Sequence, residues 1–510
     1  MTDSKIPKLN KFQEMFFPVY RYELKKFIPM SLLMFGVVFI YHLVRNLKDN
    51  FIHYNSHLWI GARPEETASL VSALKFWYVL PCAVLTVAAF TALMNKFGIT
   101  KSFYITISSF MAFYFIYGFI LYPNLDYLIL SEENITSITS NVPTFFRAFI
   151  TCLANWPLTI FYIVSELWGT MTISFLFWQF ANRITMKNEV KRFFGLFSLL
   201  ANFGTILAGV TVKNYANNLD VGHVRILMIG VLVTGFIILS IYTFINKIVL
   251  KDPLLYDESK VSKKKSKKVK ASATEGIKIL MKNSYFMLIC VLVLSYGISI
   301  NFSEIIMVSS MKEVFTRAEY GSMQGNLSIC TGVFAGIIIL FSNGILRKFS
   351  WKVGAIITPL VFLIGGGLFL SMILYKQFVS ATIFGMSSAV VAVWCGVVYD
   401  SLAKGVKYSL FDSTKSMAYL PIDENERNKG QAAVEIIGGR AGKAGSSIIQ
   451  QILLSFPKTL TTVTGSVSGL LAHSPTIASA FLSTVIIWIV AVLKLNDKYE
   501  KKIKENETSL

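Results

Sequence analysis

The chain has 510 residues, 54% of them hydrophobic and only 15% charged, and its 49 Lys and Arg against 29 Asp and Glu give a net charge of +20. Soluble domains carry about 25% charged residues; the composition excludes an ordinary soluble enzyme and indicates an all-α, polytopic membrane protein. Five cysteines (82, 152, 290, 330 and 395) stand singly in apolar stretches, without metal-ligand or disulfide spacing.

The chain opens on MTDSKIPKLNKFQEMFFPVYRYELKKF, a polar, basic stretch with no signal-peptide apolar region or cleavage site. The first apolar run is therefore expected to be kept as a spanning helix. About twenty apolar residues cross a bilayer. Runs of that kind lie near 27–46, 70–94, 103–122, 158–182, 193–212 and 225–246, then near 284–303, 324–342, 353–373, 378–399, 433–455 and 471–493. The expectation is about twelve transmembrane helices, the eleventh interrupted by charge and glycine. Residues 145–157 are also apolar and suit an interfacial helix leading into span four.

Residues 247–282 carry 11 Lys against 4 acidic residues, with KVSKKKSKKVK at the centre. In a soluble chain such a run suggests nucleic-acid binding; between two sets of six spans it reads as a linker lying against anionic lipid. The organisation expected is a cytoplasmic N-terminal segment (1–26), a six-helix bundle (27–246), the basic linker (247–282), a second six-helix bundle (283–494) and a cytoplasmic tail (495–510). No internal repeat is visible at the residue level. With the N-terminus inside, 36 Lys and Arg fall in inner loops and tails and 9 in outer loops, the asymmetry of the positive-inside rule.

An ionisable side chain at bilayer depth costs about 2.5–3.5 kcal/mol on insertion scales and marks a partner or a watery cavity. Glu166 is such a residue, the sole charge in Leu158–Ala181. At the end of span one, Arg45 stands i−3 and i−4 to Lys48 and Asp49, so the three share a helix stripe, either a snorkelling helix end or a patch for an anionic substrate. Glu304 follows Asn301 by three residues near the end of span seven, and Lys75, at the start of span two, reads as interfacial. Residues 407–451 mix Lys429, Glu435, Arg440 and Lys443 with Gly438, Gly439, Gly442 and Gly445. GGRAGKA is superficially like a phosphate-cradling loop but fails the pattern: three residues rather than four separate Gly438 from Gly442, and Ala444 replaces the Ser/Thr. Arg440 and Lys443 stay candidates for phosphate charge within a broken or Gly-rich helix. None of the five His has a ligand-like partner, and no nucleophile–base–acid constellation is visible; a transporter is expected rather than an enzyme.

These segments resemble one family along nearly the whole chain. FFPVYRYELKKFIP, RNLKD, SELWGT…LFWQFANRIT, KRFFGLFSLLAN, YGISINFSE, LAKGVKYSLFDSTKSMAYLPID and NKGQAAVEIIGGRAGKAGSSIIQ are similar to the nucleotide transporters of intracellular bacteria and plastids, the non-mitochondrial ATP/ADP translocases. The resemblance implies two six-helix bundles similar to the major facilitator superfamily, in a bacterial inner membrane, exchanging ATP for ADP or importing ribonucleotides with protons. It implies that Lys48, Glu166, Glu304 and Lys443 are functional, with Asn301 a base or ribose contact. Met307, Val308 and Ser310 stand where adenylate exchangers typically carry Trp and two Lys, and GKAGS replaces GKSGG. Those departures leave open a proton-coupled importer of GTP, UTP or CTP.

The mechanism expected is alternating access around one site between the halves. Lys48 and Lys443, supported by Arg45, Arg440 and Lys429, hold phosphates, while Glu166 and Glu304 pair with the lysines in the empty carrier. Two other classes make different demands on the sequence. A transferase acting on a phosphorylated lipid needs a catalytic base and a metal carboxylate cluster, for which DENER (423–427) is the sole acidic candidate. A multidrug exporter favours an aromatic, weakly charged cavity. The partners expected are the nucleotide and the bilayer. No cofactor, metal, nucleic acid or obligate protein partner is implied, and a monomer suffices.

Overall fold

A computed structural model describes residues 17–53, 59–60, 67–140, 142–215, 219–256, 282–348, 350–379, 381–383, 385–422, 424–456, 458–462, 465–467 and 469–508. The expected basic linker falls outside the described residues from 257 to 281, as does the N-terminal segment up to residue 16.

Among the described residues, ten helical segments are long and apolar enough to cross a membrane. One of them, Leu70–Leu128, has 59 residues, about 88 Å if straight and far beyond the ~30 Å hydrocarbon core. It is broken at Gly98, whose φ of 74° and ψ of 167° suit only glycine. The segment thus supplies spans two and three. Span one is Leu24–His53, span four Trp156–Ile184, span five Lys187–Tyr215 and span six Val221–Lys247. Spans seven to ten are Ser284–Val314, Arg317–Lys348, Trp351–Phe378 and Ser388–Ala418, and span twelve starts the helix Ser474–Thr508. Glu424–Ser455 is span eleven, too rich in charge and glycine to register as apolar.

Local chemistry sets several of these boundaries. Asp220 caps span six by accepting from the His223 backbone N–H at 2.8 Å, and that bond holds its carboxyl below the usual range. Asn283 caps span seven on the Tyr285 N–H in the same manner. The apolar stretch before span four forms its own helix, Thr144–Ala154.

Two expectations need correction. The apolar run from residue 378 does not start span ten: Thr382–Ile383 and Met386–Ser387 pair as a short antiparallel hairpin, and the helix begins at Ser388 with the Ser387 hydroxyl as its cap. Span ten then runs on through polar residues to Ala418, because burial and ion pairing accommodate charges that hydropathy would put in a loop. Span eleven is a continuous helix rather than a broken one. Gly442 lets it approach span seven, where an added Cβ would meet the Leu294 carbonyl O at 3.0 Å and Gly297 Cα at 3.2 Å.

Among the ten apolar segments, spans one, seven, ten and four are the most buried (67, 67, 56 and 53%), against 44% or less for the others. These four are the central spans. Alternating crossings give the molecule two faces. One bears both chain tails; the other bears the hairpins at 382–387 and 460–467.

Spans one to six meet spans seven to twelve along two seams, span five on span eight and the start of span two on span eleven. The first seam is built from small residues. A Cβ on Gly209 would lie 2.7 Å from the Gly325 carbonyl O, and one on Gly325 would lie 2.6 Å from that of Gly209. Such contacts drive helix association where there is no hydrophobic contrast with lipid. Gly209→Val should overpack this seam, a change that typically costs about 1–3 kcal/mol. Its melting temperature in detergent should fall well below that of Gly230→Val, where nothing lies within 4 Å of the new Cβ; equal melting of the two variants would contradict the close approach.

Candidate functional site

The central spans carry charges that the sequence places at bilayer depth, and they converge. Lys48 is almost fully buried. Its ammonium lies 2.6 Å from Asp49 Oδ1 and 3.0 Å from Glu166 Oε1, and 4.2 Å from the centre of the Tyr162 ring. Burying a cation is tolerated when carboxylates and an aromatic face replace its water. Glu166 is therefore the partner of Lys48, as expected from its isolation in span four.

Arg45 does not use Lys48 or Asp49. Its Nη1 donates to the Tyr41 hydroxyl at 3.4 Å, and its Nη2 to Glu304 Oε1 at 2.8 Å. The Tyr41 ring lies over Gly169, where a Cβ would come within 2.5 Å of it, so the SELWGT glycine of span four helps set where Arg45 sits. Glu304 belongs to the other half of the molecule. It lies inside span seven, not at its end, and the same Oε1 is 3.4 Å from Lys404 Nζ. Lys404 in turn donates to Asp400 Oδ2 at 2.6 Å, one helical turn back on span ten.

Asn301 is 1% exposed. Its Oδ1 accepts from Lys75 Nζ at 2.6 Å, and its Nδ2 donates to the Ser446 hydroxyl at 2.6 Å. Lys75 is thus not an interfacial residue: it reaches from span two into the other half. Two more hydrogen bonds cross between the halves, Asn46 to Ser328 at 2.8 Å and Ser72 to Gln450 at 2.9 Å. Every cross-half hydrogen bond between described residues lies toward the hairpin-bearing face.

The side chains of Lys429, Glu435, Arg440 and Lys443 lie outside the described residues. Their backbone belongs to span eleven, with Lys443 between Gly442, at the contact with span seven, and Ser446, which meets Asn301.

The geometry therefore joins Arg45, Lys48, Glu166, Asn301 and Glu304 into one polar region at the junction of the halves. Lys75, Asp400 and Lys404 complete it. The last two carried a signal, an acid–base pair at i and i+4 in YDSLAK, but an apolar window ending at residue 399 leaves both in a loop. Three stretches of π-helix adjoin the region: Leu74–Val79 contains Lys75, Gly169–Phe177 starts three residues after Glu166, and Lys407–Phe411 starts three after Lys404. Such insertions are frequent at functional sites because they re-aim side chains. Three cations (Arg45, Lys48, Lys404) face four carboxylates (Asp49, Glu166, Glu304, Asp400) in this region, and a fourth, Lys75, meets the Asn301 amide oxygen. Chemically, it can bind a polyanion whose negative groups take over contacts now made by the carboxylates.

Residues 2–499 match the family model described as TLC ATP/ADP transporter. The chain is 36% identical over 509 residues to ADP,ATP carrier protein 1 of Rickettsia prowazekii (strain Madrid E), covering 98% of each chain. It is 33% identical over 526 residues to ADP,ATP carrier protein 1 of Chlamydia pneumoniae, covering all of this chain and 98% of that one. Among solved structures, a D-xylose-proton symporter superposes with a TM-score of 0.55 at 14% identity, covering 94% of this chain and 97% of that one. The fold is that of the major facilitator type.

Glu304 joins the halves through Arg45, so the two side chains should be energetically coupled. A double-mutant cycle of Arg45→Gln and Glu304→Gln, read from thermal unfolding of the purified protein, should give a coupling of about 0.5–3 kcal/mol. Strict additivity would show that the 2.8 Å contact contributes nothing.

Proposed function

The chain belongs to the ATP/ADP transporter family, and we propose that it moves nucleotides across a bacterial inner membrane by alternating access, exchanging ATP for ADP or importing ribonucleoside triphosphates. The observation that carries this reading is the polar region at the junction of the halves. Its cations come from both halves, and carboxylates pair with Arg45, Lys48 and Lys404. A nucleoside di- or triphosphate brings roughly three to four negative charges, enough to replace those carboxylates, whereas a neutral drug or sugar would leave the ion pairs of Arg45, Lys48 and Lys404 intact. Lys48, Arg45 and Lys443 hold the phosphates; Glu166 and Glu304 are the counter-ions they release. Asn301 is a base or ribose contact once Lys75 withdraws.

The positive-inside bias places the tail-bearing face, and both termini, in the cytoplasm. The cross-half hydrogen bonds between described residues then lie toward the outer side. A monomer suffices for this cycle.

A second reading, proton-coupled import of GTP, UTP or CTP, is favoured by the stretch after Glu304. Met307 and Ser310 are 2% and 0% exposed, packed into span seven where adenylate exchangers carry Trp and Lys.

The deciding experiment is uptake of radiolabelled ATP, GTP, CTP and UTP by intact bacteria expressing the chain, with and without internal nucleotide and a protonophore. ATP uptake that requires internal ADP and ignores the protonophore is the result expected of an exchanger. Protonophore-sensitive uptake of another nucleotide would establish the second reading, and no uptake by correctly inserted protein would overturn both. Lys48→Gln should cut uptake by roughly a hundredfold or more, because unpairing a buried charge costs about 3–5 kcal/mol, and Lys443→Gln should abolish it with insertion intact. Retained uptake by either variant would remove that lysine from the phosphate site.

A further inference from the structure

Lys404 and Asp400 belong to the polar region but have no role of their own in the reading above. We propose that Lys404 is a phosphate-binding cation of the C-terminal half, and that Asp400 sets how many phosphate charges this seat accepts. The inference rests on nucleotides being the substrate.

The geometry supplies the first part. Glu304 Oε1 lies 2.8 Å from Arg45 Nη2 and 3.4 Å from Lys404 Nζ. One carboxylate oxygen thus stands between a guanidinium of span one and an ammonium of span ten. A phosphate oxygen makes the same two contacts with the same charge, and Arg is suited to a planar two-point grip on it. Glu304 makes the contacts that a phosphate would take over at this seat.

Lys404 is also held more firmly than a loop lysine would be. An added Cβ on the adjoining Gly405 would lie 3.3 Å from Ala335 Cα of span eight, and the Ser401 and Thr331 hydroxyls are 3.4 Å apart. One turn before Asp400, Gly396 passes so close to the Phe369 ring that a Cβ would come within 2.8 Å of it. Span ten is therefore pinned to spans eight and nine on both sides of the pair. Binding groups placed on such rigid helices lose little freedom when substrate arrives.

Asp400 supplies the second part. It is 2% exposed, its Oδ2 takes the Lys404 ammonium at 2.6 Å, and its Oδ1 accepts no hydrogen bond among the described residues. A carboxylate so buried and half satisfied is costly; what it provides is a fixed negative charge beside Lys404. With Glu304 displaced, Arg45 and Lys404 less Asp400 leave one net positive charge at the seat. A nucleoside triphosphate carries one more negative charge than the diphosphate, so this balance biases the choice between them.

The test is the ratio of diphosphate to triphosphate dissociation constants, measured with ADP, ATP, GDP and GTP on the full-length protein in nanodiscs. Folding is checked by monodispersity and helical circular dichroism. Asp400→Asn should move the ratio toward triphosphates by roughly tenfold, and Lys404→Gln toward diphosphates by a similar factor. The double variant should restore the wild-type ratio with weaker binding of all four. A merely structural role would weaken both nucleotide classes equally and leave the ratio still. If Asp400→Asn does not fold, Lys404→Gln and the double variant carry the same comparison, since they differ only in the Asp400 charge. Unchanged ratios in variants that bind would overturn the inference and leave the transport reading standing. Failure of the wild-type protein to bind any of the four would overturn both.

Discussion

The arrangement of the site depends on one carboxylate that serves two cations from opposite halves. Glu304 meets Arg45 of span one and Lys404 of span ten through the same oxygen. Ion pairs buried at this depth stabilise little in net terms, because desolvation offsets most of the attraction. Their consequence is specificity: each charge has to find its partner, and the relative placement of the two halves is fixed at that point. Removing the carboxylate would leave two like charges facing each other across the junction.

The surrounding packing makes that placement possible. Helices in lipid approach through small residues, and the Gly209–Gly325 contact brings spans five and eight to backbone distance. On the other seam, Ser72–Gln450 and Lys75–Asn301 join span two to the second half with directional bonds. A separate network ties the tail-bearing end of the first half. Lys26 is wholly buried against Glu189 at 2.6 Å and against the Leu255 carbonyl, and Arg192 grips Glu23 with both terminal nitrogens. These contacts run from span one to span five and to the segment after span six, so they hold one half together and cross no junction. The FFPVYRYELKKF and KRFF motifs are thus structural at these positions, while the NFSE and RNLKD motifs meet at the junction of the halves.

Much of the fold was legible in the sequence, because bilayer thickness leaves a helix few alternatives to twenty apolar residues. What hydropathy misplaced was span ten. A hairpin took its first apolar residues, and a buried Asp400–Lys404 pair let the helix continue where a charge count reads loop. The same error hid the pair itself. Glu166 was legible because a charge deep in an apolar run has to be compensated, and Arg45 because it shares a helix stripe with Lys48 and Asp49, but periodicity could not name the partners. Lys48 chose Glu166 and Asp49; Arg45 chose Tyr41 and Glu304 over its neighbours on the same stripe. Lys75 illustrates the limit most clearly. At the start of a span, snorkelling to the interface and reaching into the bundle give the same sequence pattern, and only the position of Asn301 separates them.

The charge balance of the site bears on why such a carrier would exchange rather than leak. A conformational change can be driven by a ligand only to the extent that the ligand interacts differently with the two states. Carboxylates neutralise Arg45, Lys48 and Lys404, and Arg45–Glu304 holds the halves in one relative placement. Rearranging them without substrate would separate that pair in a region of low dielectric, where the interaction is strong. A phosphate that takes over Arg45 and Lys404 keeps both cations compensated while releasing Glu304 from its bridging position. On the proposed reading the barrier would be lower for the loaded carrier than for the unloaded one, which is the condition for obligatory exchange. A proton arriving at Glu304 would release the same tie by neutralising it. One carboxylate between two halves therefore permits either coupling, and the difference between them lies in whether phosphate or proton displaces it first.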